Sequence, residues 1–406
     1  MAGALSHLRV LDLSRVMAGP WAGQILADLG ADVIKVERPG SGDDTRSWGP
    51  PFLMDSDGNE TGESGYYLCA NRGKKSVTAN LSTPEGQEFV RELAKSADIV
   101  LENFKTGTLK RYSLDFESLR AINPKLIYCS ITGFGQTGPR RQQVAYDFLI
   151  QAMGGMMSIT GEEDGRPGGG PQKIGVPMVD LTTGMFGVIG VLAALSRRAV
   201  SGEGEYVDIA MLDVQASLLA NQAMNFMLTG QPPRRYGNGH PNIMPQQVFA
   251  CRDGKMVLAV GNDGQFQRLA VALDDTEMAS DPRYTFNKGR VEHRDELLAR
   301  LAEHFAGHDR ADLLAKLDAA DVPAGPINSI GEALEEPQIL ARDLVGTLPH
   351  PLAGEVPQVF SPIRLTNASF RPETAAPLLG EHTETMLKSL GYSTERIAQM
   401  RSAGHI

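Results

Sequence analysis

Hydrophobic runs and polar breaks divide the first forty residues into three elements. Leu8–Leu13 is a short apolar stretch with strand character, and Met17–Leu29 is an amphipathic helix opened by Gly19 and Pro20 and capped by Gly30. Ala31–Glu37 is a second strand. A strand, a helix and a strand this close together form a βαβ unit with parallel strands. The pattern continues with strands at Ser76–Leu81, Asp98–Leu101 and Leu126–Ser130, and with a helix that starts at Ser82–Glu85 on a proline. The predicted fold class is therefore α/β with a largely parallel sheet.

Asp43–Gly65 is polar and rich in glycine and proline, which predicts a long surface loop, and Arg166–Pro171 predicts another. From Met185 to Leu228 the pattern is helical, broken by Gly202–Glu205 and a strand at Tyr206–Ala210. The apolar stretch Gly184–Leu195 is too short to span a bilayer and predicts a buried helix. Gln231–Asn242 is a loop, Val248–Val260 a hairpin turning at Asp253 and Gly254, and Gln265–Ala319 helical. A last helix is expected at Glu381–Leu390. The expected domains are 1–224, a small domain at 225–325, and a return segment at 326–406.

Composition narrows the function. Of 406 residues, 42% are hydrophobic and 22% charged, so the chain can bury a core without disulfides or metals. The net charge of −10 argues against nonspecific binding to nucleic acid or to an anionic membrane. An anionic ligand then needs local basic side chains. Cys69, Cys129 and Cys251 form neither a disulfide framework nor a zinc pattern. With no leader-like opening, the expectation is a cytoplasmic protein.

Four constellations could carry chemistry, each with a plainer alternative. The loop after the first strand, Ser14–Pro20, lacks the glycine spacing of a dinucleotide site. Asn238, Gly239 and His240, beside Arg234 and Arg235, form either a mobile glycine turn over a ligand or a surface connection. Arg38, Arg72, Lys74, Lys75, Lys105 and Arg111 lie near predicted strand ends, where they suit phosphates or are ordinary solvated charge. Asp180 precedes an apolar helix. It is either an N-cap or a carboxylate kept ionised by the helix N-terminus and able to attack an activated acyl group. No serine elbow or metalloprotease motif is present.

The chain resembles the class III CoA-transferases from end to end, a group that includes formyl-CoA transferase, carnitine CoA-transferase and the α-methylacyl-CoA racemases. The residues that carry the likeness are Leu8–Leu13, Ala18–Pro20, Gly30–Pro39, Asn71–Ser76, Glu102–Phe104, Gly133–Gly135 and Pro377–Thr383. The resemblance implies a large Rossmann-like domain built from both chain ends, a smaller inserted α+β domain, and an interlocked homodimer. It implies no permanently bound cofactor, with coenzyme A or acyl-CoA as substrate. Asp180 takes the position of the catalytic aspartate, which forms an acyl anhydride and then an aspartyl-CoA thioester, and Gly239 lies in the shielding glycine loop. CoA contacts carry over to Val16, Ala18, Arg38, Arg72, Lys75, Asn103, Phe104, Lys105, Arg111 and Tyr146. Met17 stands where formyl-CoA transferase has a glutamine, which argues against oxalate as acceptor. A racemase would need a histidine at Tyr146 and a glutamate at Gln247, so transfer is favoured over α-proton exchange. The stretches His240–Pro245 and Gly261–Phe266 look similar to succinyl-CoA:glutarate and related dicarboxylate transferases, with Arg15, His240 or Gln247 available to a second carboxylate.

Overall fold

Val10, Leu11 and Leu13 are all buried, so the first strand is covered on both faces, as a central strand of a parallel sheet must be. The computed structural model describes residues 2–368 and 370–406. They divide into two compact units. One holds the residues up to Gly155, then Ile174–Ala220 and Pro337–Ile406; the other holds Met156–Lys173 and Asn221–Glu336. Met156–Lys173 thus leaves the expected 1–224 segment for the second unit, which extends to Glu336 rather than to 325.

In the first unit, β1 (Arg9–Asp12), helix α1 (Ala18–Asp28) and β2 (Asp32–Glu37) realise the opening βαβ unit. Then come β3 (Lys75–Thr78), β4 (Ile99–Glu102), β5 (Ile127–Thr132), helix α2 (Asp147–Met153), helix α3 (Met178–Ser201) and β6 (Glu205–Ala210). The six strands form one parallel sheet in the order β3-β2-β1-β4-β5-β6. On one face, Leu11, Ile34 and Val100 pack with Phe89 and Leu93 of the helix Pro84–Lys95 and with Leu387, Ile397 and Met400 near the C-terminus. On the other face, Val10, Val33, Ile99 and Ile127 pack with Ala22 and Leu26 of α1 and Val188 and Val191 of α3.

Helix α3 needs its glycines to reach this position. A Cβ on Gly184 would lie 2.6 Å from the carbonyl oxygen of Ala18, so only glycine lets α3 close against α1. The helix is not wholly buried, as its apolar run suggested. Met185, Phe186, Ile189 and Leu192 are exposed on the side away from the sheet. At 24 residues it is long and apolar enough to pass as a membrane span, yet its opposite side belongs to the sheet's core.

The 43–65 segment also departs from expectation. It contains a hairpin, Phe52–Met54 with Glu60–Ser64, and Asp43, Thr45, Arg46, Glu63 and Ser64 are buried. Arg46 sits between Glu37 at 2.8 Å and Glu63 at 2.9 Å, so the polar composition that reads as a surface loop is satisfied internally. Near the C-terminus, the expected helix runs Thr383–Ser389, and a further helix at Thr394–Ser402 follows it.

The second unit is built around β7 (Gln246–Cys251) and β8 (Gly254–Ala259), an antiparallel hairpin that turns near the predicted place, with β9 (Ala324–Pro326) on its edge. Phe249, Leu258, Phe266, Leu301 and Phe305 form its core.

Candidate active site

In a parallel α/β sheet the ligand site lies beyond the carboxyl ends of the strands, where the connections turn to opposite sides. Here the reversal falls at β1, with β2 and β3 on one side and β4, β5 and β6 on the other. A cavity of about 460 Å³ opens at that edge. Leu13, Arg38, Ala79 and Phe104, which follow β1, β2, β3 and β4, line it together with Arg15, Asp43, Asn80, Tyr112 and Gly404. The Arg15 guanidinium lies 5.5 Å from the centre of the Phe104 ring. Arg38 is exposed at the rim, and Lys105 and Arg111 are exposed on the segment that brings Thr108 and Tyr112 to the wall.

The turn between β1 and α1 is fixed by side chains. The Asn103 amide accepts the Arg15 N–H at 2.8 Å and donates to the Arg15 carbonyl at 2.7 Å. Val16 follows with φ +71°, an outlier for a β-branched residue. Met17 and Ala18 are buried as the chain enters α1.

Two predicted phosphate ligands are placed elsewhere. Arg72 is buried; it donates to Asp28 at 2.8 and 2.5 Å and to the Val359 carbonyl at 2.8 Å, so its guanidinium is not free for a phosphate. Lys75 begins β3 and pairs at 2.6 Å with Asp32, which begins β2. Both residues lie at the amino edge of the sheet, opposite the cavity. Proximity to a strand in sequence did not reveal which end each would occupy.

Asp180 is in the first turn of α3, but it is not the N-cap; Pro177 holds that place, without a side-chain bond. The capping function comes from Asp147 on α2. Its carboxylate accepts the Val179 amide at 2.7 Å and the Asp180 amide at 3.3 Å, and receives the Gln151 amide at 2.6 Å. Gln151 also accepts the Ile174 N–H at 2.9 Å, so α2 templates the start of α3. This leaves the Asp180 carboxylate with no ion-pair partner among the described residues. Burial, and then the negative charge of Asp147, push it up to about 7. The helix N-terminus favours an ionised carboxylate, as expected, but here desolvation outweighs it. Tyr66 shares this environment. Burial and the Asp180 charge push its hydroxyl up to about 12, and its ring meets Trp48 edge-on at 5.1 Å. No sequence pattern singled out Tyr66 or Asp147. Tyr146, the N-cap of α2, is largely exposed.

The remaining predicted residues belong to the second unit. Gly239 donates its N–H to the Tyr236 carbonyl at 2.8 Å, while Gly237, with φ +56°, supplies the left-handed residue of the turn. Nδ1 of His240 accepts the amides of Asn242 and Ile243, both at 3.1 Å, and burial together with Arg294 lowers its basicity. Gln247 accepts the Val248 N–H at 3.1 Å.

A parallel α/β sheet with a cavity at its switch point is the architecture of an enzyme that binds its ligand beyond the strand ends. The sequence pattern of CoA-transferase family III matches residues 5–383, and the chain belongs to that family and is a CoA-transferase. It is 50% identical over 386 residues to a succinate–glutarate CoA-transferase of Agrobacterium fabrum, covering 95% of each chain. It is 40% identical to a mouse succinyl-CoA:glutarate CoA-transferase, covering 99% of this chain and 90% of that one. A CaiB/BaiF family protein from Brucella suis has the same fold, with a TM-score of 0.84 and 47% identity over 96% of this chain and 100% of its own.

Proposed function

We propose that this CoA-transferase moves CoA from a dicarboxylic acyl-CoA of the succinyl class to a free dicarboxylic acid of the glutarate class, with Asp180 as the nucleophile. The observation that carries the reading is the Asp180 carboxylate itself, half-buried in the first turn of α3 with no ion-pair partner among the described residues and raised to about 7. The names of the Agrobacterium and mouse relatives support the substrate class. Asp180 attacks the thioester carbonyl and expels CoA thiolate, leaving a mixed anhydride. The thiolate attacks the aspartyl carbonyl of that anhydride, forming an aspartyl-CoA thioester and releasing the first acid. The second acid attacks this thioester, giving a new anhydride and thiolate. The thiolate then takes the new acyl group and restores the carboxylate. The cavity holds the nucleotide end of CoA, with Phe104 for the adenine and Arg38, Lys105 and Arg111 for phosphates. By the family resemblance, Gly239 belongs to the loop that shields the intermediates from water, and His240 and Gln247 are available to the second carboxylate, whereas Arg15 is held by Asp44 at 3.0 Å and stays with the acyl-CoA cavity.

A homodimer is part of the proposal. The exposed apolar side of α3, continued by Phe148 and Leu149 on α2, is the kind of surface that a second copy would cover. The three cysteines are free, which suits a reducing cytoplasm.

The test is mass spectrometry of the protein with succinyl-CoA and glutarate, with hydroxylamine added to trap activated carboxyls. A hydroxamate on Asp180 and formation of glutaryl-CoA are expected. An unmodified Asp180, with solvent deuterium entering the acyl α-carbon, would establish an epimerase instead.

A further inference from the structure

A valine at φ +71° is held there against its preference, and its surroundings show what holds it. Each backbone group from the Ser14 N–H to the Val16 N–H is claimed by a buried or half-buried side chain. Asp12 accepts the Ser14 N–H at 3.0 Å as well as its hydroxyl, and Lys35 donates to the Ser14 carbonyl at 2.9 Å. Asn103 takes both polar groups of Arg15. Asp43 accepts the Val16 N–H at 3.2 and 3.3 Å. Asp43 is itself fixed by Lys35 at 2.8 Å, with both side chains fully buried, and by the Thr45 amide at 3.0 Å and hydroxyl at 2.8 Å. Lys35 and Asp43 also line the cavity beside Leu13 and Arg15. Two sequence-distant elements, the end of β4 and the segment after β2, thus converge on one short turn.

We infer that Asp43, anchored by Lys35, is a positioning residue for acyl-CoA binding: it locks Val16 in the left-handed conformation and so sets the turn whose Leu13 and Arg15 form the cavity wall. The inference rests on the proposal that this cavity takes CoA. Burial pushes Asp43 up, but Lys35 and the Thr45 donors outweigh it and bring the group down to about 2, so the clamp is charged throughout the working range. Without the Asp43 acceptor, Val16 relaxes toward negative φ and carries Arg15 away from Phe104.

The test is a cycle at positions 16 and 43, measuring KM for succinyl-CoA, KM for glutarate, kcat and melting temperature. Asp43→Ala should raise KM for succinyl-CoA about tenfold, the order expected for a lost left-handed residue, and leave KM for glutarate unchanged. Glycine has no bias against positive φ, so adding Val16→Gly should recover most of that KM without recovering the melting temperature. Equal KM values with and without Val16→Gly would overturn the inference, as would a rise in both substrates' KM values together. If Asp43→Ala does not fold because Lys35 is left unpaired, the same cycle is run on Lys35→Met/Asp43→Ala, which buries no orphan charge. Phe104→Ala separates the two readings. If it leaves KM for succinyl-CoA unchanged, the cavity does not hold CoA; if it raises KM while the cycle shows no coupling, only the role of Asp43 is lost.

Discussion

The Asp147 carboxylate accepts the backbone amide of Asp180 at 3.3 Å, so two acidic residues occupy one helix start and only one of them is satisfied by it. Asp147 takes the amides that would otherwise stabilise charge on Asp180, and it adds its own field. The result is a carboxylate poised between its two protonation states near neutrality, and several outcomes can be expected from that.

Replacing Asp180 with asparagine preserves shape and removes the proposed nucleophile. Transfer between succinyl-CoA and glutarate should fall by on the order of 10⁴-fold or more. The melting temperature should hold or rise, because a desolvated carboxylate is replaced by a neutral amide. Steady-state kinetics and a thermal melt on the same preparation check both.

As the proposed nucleophile Asp180 reacts as the anion, and the group is raised to about 7. Activity should therefore decline as pH falls through about 7, with an acid limb in kcat/KM. Asp147→Asn removes the neighbouring charge but keeps an oxygen for the two amides, so the limb should move to lower pH. A limb that stays in place would mean that burial alone sets it.

Arg38→Ala and Phe104→Ala change the cavity without touching the buried ion pairs. Each should raise KM for the acyl-CoA about tenfold, with kcat at saturation and KM for the free acid little changed. Initial-rate series with each substrate varied in turn separate these terms.

Arg72→Met should behave in the opposite way. It leaves Asp28 buried without its partner, which costs about 3–5 kcal/mol in denaturant unfolding. Protein that remains folded should show an unchanged KM for acyl-CoA.

The opening βαβ unit and the parallel sheet were legible because fully buried strands and an amphipathic helix leave distinct periods in the sequence. Asp180 is singled out as a nucleophile only by the resemblance, since by pattern alone an aspartate before an apolar run reads more readily as a cap. The structure assigns the cap to Asp147, a residue from a helix some thirty positions upstream. Local pattern cannot carry that information. The 43–65 segment was misread for a related reason: its polar residues face one another. Arg46 with Glu37 and Glu63, and Asp43 with Lys35, look like solvated charge until folding pairs them. Arg72 and Lys75 were misassigned because both ends of a parallel strand carry charge, and only the direction of the sheet tells them apart.

The packing of Leu387, Ile397 and Met400 on Phe89 and Leu93 has a consequence for biogenesis. One side of the sheet begun at Arg9 is finished by residues near position 400, and Gly404 borders the cavity at its switch point. At about 5–20 residues per second, a ribosome needs roughly 20–80 s to make this chain. For most of that time this flank is covered only in part, by the helix Pro84–Lys95. During synthesis this cavity therefore closes only after the residues around position 400 have emerged.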